Sequence, residues 1–97
     1  MSDRLGIEFL PPESIVDNFA YYLQDSLEKP QEALELFLIN AGNYPESANV
    51  YVSLGDAYRA NGETQLAIKN LRKALEVDPN HGHLQWTIET LAELQQQ

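Results

Sequence analysis

His81 and His83 are the side chains best suited to holding a metal, and they flank Gly82 in the run Asp78-Pro79-Asn80-His81-Gly82-His83. A zinc site needs at least a third ligand at suitable spacing. None accompanies this pair, which therefore reads as a loop entering a helix, and no cofactor is expected. Ser14, Ser26, Ser47 and Ser53 lie outside any Gly-x-Ser-x-Gly elbow, and no Gly-rich phosphate loop occurs. Carboxylates are plentiful, but no spacing singles out an acid and base pair. What remains is recognition chemistry. Ser14, Asp17, Asn18, Tyr21, Gln24 and Asp25 recur at helical spacing in one stretch, as do Asn49, Val52, Ser53, Asp56 and Arg59 in another. These positions are left over when the apolar stripe of each stretch is assigned to a core, and most offer hydrogen bonds. Tyr21 and Val52 are apolar spots within a polar row, which suits an anchor site. A solvated face without a ligand is the alternative.

Helices must position these rows. Val50, Tyr51, Leu54, Gly55, Ala57 and Tyr58 alternate large and small residues at helical spacing, as suits one helix lying close against another. Gly55 inside such a helix costs about 1 kcal/mol relative to Ala, so close approach of a neighbouring backbone is expected there. Asn61-Gly62 ends that helix, Gly62 being free to turn left-handed. A second stripe, Leu66, Ala67, Ile68, Leu71, Ala74 and Leu75, runs to Asp78-Pro79-Asn80, with Lys69, Arg72 and Lys73 outside it. Upstream, a helix is expected from Pro12 or Glu13 to Asp25 and another from Pro30 to Gly42, Pro being tolerated in a first turn. Ser47 is placed to cap the helix that follows. After Pro79 a last helix is expected, capped by Asn80 or soon after. Leu84, Ile88, Leu91 and Ala92 form its stripe, and Gln85, Glu89, Glu93 and Gln95 to Gln97 its wet face. Trp86 falls one turn from that stripe, on the side of the polar rows, where it forms an aromatic patch with Val52 or packs over the preceding helix.

Composition narrows the class. Ninety-seven residues make one small domain. The net charge of -9, from 15 acidic and 6 basic residues, opposes nucleic-acid binding. No apolar run is long enough to span a membrane, and no secretory leader is visible, which favours a cytoplasmic location. Cysteine is absent, so disulfides are excluded. Leu5, Ile7 and Phe9 alternate with Gly6 and Glu8 before Pro11-Pro12, as in an extended segment or linker retained from a longer protein.

Tyr51, Leu54, Gly55, Tyr58, Ala67, Leu71, Ala74 and Pro79 carry the spacing of a helix-turn-helix repeat of about 34 residues. The stretch resembles the tetratricopeptide repeat, with Tyr51 and Leu71 in place of the family's usual Trp and Phe. The resemblance implies an all-α fold of antiparallel helix-turn-helix repeats in a superhelical stack. A degenerate first copy is found by aligning Ala33 with Ala67, Phe37 with Leu71 and Pro45 with Pro79. One extra residue in the Ser26 to Lys29 turn then brings Ile15, Val16, Phe19, Ala20, Tyr22 and Leu23 opposite Val50, Tyr51, Leu54, Gly55, Ala57 and Tyr58. The expected organisation is an extended segment over residues 1–11, repeat one over 12–46, repeat two over 47–80 and a capping helix over 81–97.

The resemblance further implies a non-catalytic protein-binding module whose concave face comes mainly from the first helix of each repeat. On this chain that face comprises Asp17, Asn18, Tyr21, Gln24, Asn49, Val52, Ser53, Asp56, Arg59 and, from the cap, Trp86. The Lys and Asn clamp with which some members hold acidic chaperone termini is missing. Arg59 is the one clear cation in the face, against Asp17, Asp25 and Asp56, so the expected partner is a basic or neutral protein segment. Leu36 to Asn40 and Tyr44 to Gly55 also look like the tetratricopeptide tails of bacterial serine hydrolases of the esterase and beta-lactamase-like groups. That likeness implies a structural docking or dimerisation domain whose nucleophile lies upstream. Ile15, Val16, Phe19, Tyr21, Tyr22 and Leu23 crowd the first helix with apolar surface, so an upstream catalytic domain or a second copy of the chain is expected to cover it.

Overall fold

The computed structural model describes residues 11–96. Five α-helices follow one another there: α1 (Glu13–Tyr21), α2 (Pro30–Asn43), α3 (Ala48–Ala60), α4 (Thr64–Val77) and α5 (Leu84–Gln95). A π-helical turn, Tyr22–Ser26, continues α1, and no strand occurs among the described residues. α1 with α2 and α3 with α4 form two hairpins, α2 lies against α3, and α5 packs on α4. The all-α architecture of helix-turn-helix units read from the sequence is the one observed. The expected extended segment lies outside the described residues except for Pro11, whose carbonyl accepts a 2.7 Å hydrogen bond from the Tyr44 hydroxyl.

Prolines and turn residues set the helix ends. Pro12 precedes α1, and its carbonyl receives the first amides, those of Ile15 and Val16. Pro30 is the first residue of α2, where its missing N–H costs nothing. Ser47 does precede α3, but its hydroxyl does not cap it. It donates instead to the Glu13 carboxylate at 2.8 Å, because α1 begins beside α3 and offers a charged acceptor. Asn80 does not cap the last helix either. A turn through His81 intervenes, and His83 stands at the start of α5 without a side-chain cap.

The two hairpin turns close in the same way with different lengths. In the second, the Glu63 amide donates to the Tyr58 carbonyl at 2.8 Å, and Gly62 takes a φ of 79°. In the first, the Lys29 amide donates to the Leu23 carbonyl at 2.8 Å, and Glu28 takes the left-handed place with a φ of 55°. The first turn therefore spans one residue more. That residue is absorbed by the wider π turn, where the Leu27 amide reaches the Tyr22 carbonyl, rather than by the Ser26 to Lys29 segment as expected. Asn61 ties the two turns together, its amide donating to the carbonyls of both Pro30 and Ala57.

The core runs along the stack in three clusters. Ala20, Leu23, Ala33, Phe37, Leu54 and Ala57 join the hairpins. Ala67, Ile68, Leu71, Leu91 and Leu94 join α4 to α5, and Ala48, Val52 and Ala74 fill the other end of the second hairpin. Each fully buried Phe37 or Leu71 contributes about 1.5–3 kcal/mol through the water it sheds. Gly55 does mark a close approach, but chiefly of a side chain. A Cβ there would stand 2.5 Å from two carbons of Leu71 and 3.3 Å from the Ala67 carbonyl oxygen.

Two stripes differ from expectation. Ile15, Phe19 and Tyr22 are exposed although they align with buried positions of α3, because α1 has no preceding hairpin against it among the described residues. In α5 the buried face is Thr87, Thr90, Leu91 and Leu94, leaving Ile88 and Ala92 in water. The helix is rolled so that two threonines are buried in place of the bulkier isoleucine.

Candidate functional site

A ladder of polar contacts between α1 and α3 builds one wall of a groove. Glu13, Asp17 and Tyr21 are four residues apart, so they line up on one face of α1. The Glu13 carboxylate accepts from Ser47 and from the Asn49 side-chain amide, the latter at 3.2 Å. The next rung is a 2.5 Å hydrogen bond donated by Ser53 to the Asp17 carboxylate. On the last, the Tyr21 hydroxyl faces Ser53 and Asp56, while its ring meets Phe37 edge-on at 4.9 Å. Asn40 of α2 also donates its side-chain amide to the Glu13 carbonyl, fixing the start of the ladder.

The far wall comes from the end of α3 and the start of α5. Arg59 forms a 3.1 Å ion pair with Asp56 one turn before it, and its guanidinium lies 5.8 Å from the centre of the Trp86 ring. Between the walls is an open cavity of about 340 Å³. Its lining is Asp17, Tyr21, Asn49, Val52, Ser53, Asp56, Arg59, His83 and Trp86. Eight of the ten residues read from the sequence as a concave face thus share one cavity. Val52 is only 5% exposed and packs with Ala48 and Ala74, so it is floor rather than a projecting anchor.

Asn18 and Gln24 stay outside the cavity. Asn18 sits on the exposed side of α1. Gln24 falls within the π turn, whose wider winding displaces it from the row that an unbroken α-helix would continue from Tyr21. Glu13 and His83 were missed. Glu13 lies four residues before Asp17, a spacing the sequence displays, but an acidic residue there equally suits the mere start of a helix. His83 precedes Trp86 by three residues and so shares its side of the chain, a relation concealed by reading it with His81. The His81 Nδ1 accepts from the His83 backbone amide at 3.0 Å.

Electrostatics follow from the geometry. Burial pushes the Asp17 carboxyl above the ordinary carboxylate range. The Ser53 hydrogen bond and His83 work against that, and Glu13 and Asp56 add to it. Burial also raises the Tyr21 phenol strongly, helped by the charge of Asp56, so Tyr21 remains a neutral donor at any physiological pH. Asp17 and Asp56 thus both face one cavity, with Arg59 as the sole arginine or lysine among its lining residues.

A sequence profile of the tetratricopeptide repeat matches residues 23–80. The chain belongs to the tetratricopeptide-repeat family. The match begins at Leu23 inside the π turn and runs through α2, α3 and α4, so α1 lies before it. Tetratricopeptide repeats are typically non-catalytic and generally bind proteins or peptides. A comparison with curated proteins yields no match. The likeness to hydrolase tails thus has no counterpart in either comparison.

Proposed function

We propose that this tetratricopeptide domain is an interaction module that holds an extended protein segment in the groove between α1, α3 and the start of α5. The observation that carries the reading is the convergence of donors, acceptors and two aromatic rings, Tyr21 and Trp86, on one open cavity. Orientation would come from Asn49, Asp56 and the Tyr21 hydroxyl, and contact area from the Trp86 ring. The segment is basic or neutral, since two carboxylates face the cavity and the one arginine is already paired with Asp56. Binding of peptides from a random display library to the intact chain and to its Tyr21→Ala and Asp56→Lys variants tests this. Peptides that bind the intact chain and are lost with either variant support the groove. Binders indifferent to both variants place the interaction elsewhere.

A second reading is favoured by the apolar surface of the first hairpin. Ile15, Phe19 and Tyr22 on the α1 side and Ile39 on α2 are exposed, and Phe19, Leu23, Leu36 and Ile39 line a shallow cleft with Glu32 and Glu35 at its rim. On this reading the domain docks by its first hairpin, against a neighbouring domain such as the hydrolase suggested by the sequence likeness or against a second copy. Light scattering over a dilution series tests the second-copy version: a dimer that Phe19→Asp dissociates supports it, and a monomer at every concentration removes it.

A further inference from the structure

The free groove already contains a cation. Arg59 extends from the last turn of α3, pairs with Asp56 at 3.1 Å and covers the face of Trp86 at 5.8 Å. A guanidinium over an indole ring with a carboxylate at its edge is the arrangement by which proteins take up cationic side chains. Here it is satisfied within the chain. The Arg59 side chain is 43% exposed, so it is a surface group laid across the cavity and not a buried strut. Exposed pairs of this kind are worth little and are readily exchanged.

We propose that the cavity takes the arginine or lysine side chain of a partner segment, and that Arg59 is a resident stand-in which this side chain displaces from Asp56 and Trp86. The inference rests on the groove being the binding face. Asp17, held by Ser53 one turn along α3 from Asp56, gives the incoming cation a second carboxylate, which Arg59 does not pair with. Arg59 therefore acts as an internal competitor. It lowers affinity for every cation equally, and it leaves the aromatic face occupied when no partner is near.

The test is selection from a random decapeptide display library on the intact chain, followed by titration of the recovered peptides, read by the fluorescence of Trp86, the only tryptophan. The expected binders contain an arginine or lysine whose replacement by glutamine weakens binding at least tenfold. Asp56→Asn should weaken the same peptides about tenfold, whereas Arg59→Gln should tighten them about three- to tenfold. A loss of affinity in Arg59→Gln would overturn the proposal, because Arg59 would then be a contact and not a stand-in. Binders without a cation that are nevertheless lost in Tyr21→Ala would overturn it while leaving the groove as the binding face. Recovery of no groove binder would end both.

Discussion

The two hairpins share one helix-turn-helix plan in different surroundings, and the second is the better made. In α3, Leu54 is 4% exposed, because the first hairpin covers it; its counterpart Phe19 in α1 is 54% exposed. On the second helix of each unit, α4 carries Arg72 and Lys73 outward where α2 carries Leu38 and Ile39. The second hairpin turns on Gly62, the first on Glu28, and the first needs a π turn to reach the same closing bond. A repeat keeps its sequence pattern where a neighbour enforces it. Where no neighbour lies against the helix among the described residues, apolar residues persist without burial and the turn tolerates strain.

The sharpest way to break this comparison is to truncate the matched pair. Leu54→Ala removes a buried side chain between the hairpins and should cost about 2–5 kcal/mol. Phe19→Ala removes a half-exposed ring that stacks loosely on Tyr22, with centroids 6.5 Å apart, and should cost under about 1 kcal/mol. Denaturant unfolding at low protein concentration measures both. Equal costs would mean that the face of α1 is covered in solution, and the asymmetry between the hairpins would disappear.

A smaller effect is expected at the close approach inside the second hairpin. Gly55→Ala gains about 1 kcal/mol of helix propensity but drives a Cβ into Leu71, which is fully buried and backed by the core. Overpacking of this kind costs about 1–3 kcal/mol, so net destabilisation of about 1 kcal/mol is expected. The first hairpin already has Ala20 at the matching place, opposite Phe37 in the same cluster. A stabilised Gly55→Ala would show that the two units pack alike after all.

How far the sequence carried depends on the same distinction. The hairpins, the left-handed Gly62 and the proline at the start of α2 were legible because each rests on local stereochemistry. The cavity was largely legible too, since Asp17, Tyr21, Asn49, Ser53, Asp56 and Arg59 follow from helical periodicity alone. Part of what escaped depends on contacts between distant segments. Ser47 serves Glu13 rather than its own helix, and nothing local to Ser47 reveals this. Gln24 left the groove because an extra residue entered the helix one turn before the place where a loop would accept it. The burial of Thr87 and Thr90 in place of Ile88 is likewise not encoded by hydrophobicity along the chain.

The turns offer a third test. Glu28 holds a left-handed conformation that costs a residue with a Cβ about 1–2 kcal/mol, offset in part by the chain entropy that glycine loses. Glu28→Gly should therefore stabilise the chain by about 0.5–1 kcal/mol, and Gly62→Ala should destabilise it by about 1 kcal/mol. Thermal unfolding of the two variants side by side checks the pair. If Glu28→Gly destabilises instead, the carboxylate contributes to the first turn in a way that its exposed position does not reveal.

The smallest effect concerns the ladder that joins the hairpins. Asp17 lies on α1 and Ser53 on α3, and burial at their junction raises the Asp17 carboxyl above its value in the unfolded chain. Between those two values the folded state binds more protons than the unfolded one, so this group's contribution to stability falls as pH rises through the window and stays low above it. Asp17→Asn keeps an acceptor for Ser53 and removes the titration. Relative to that variant, the natural chain should gain stability as pH is lowered from about 7 through the carboxylate range near 4. The measurement is the difference in Tm between the two proteins across that range. A difference that moves the other way, with the natural chain losing ground on acidification, would mean that the Ser53 hydrogen bond to the charged carboxylate outweighs its burial. The ladder would then be a net tie between the hairpins rather than a strained acceptor kept at the groove for a ligand.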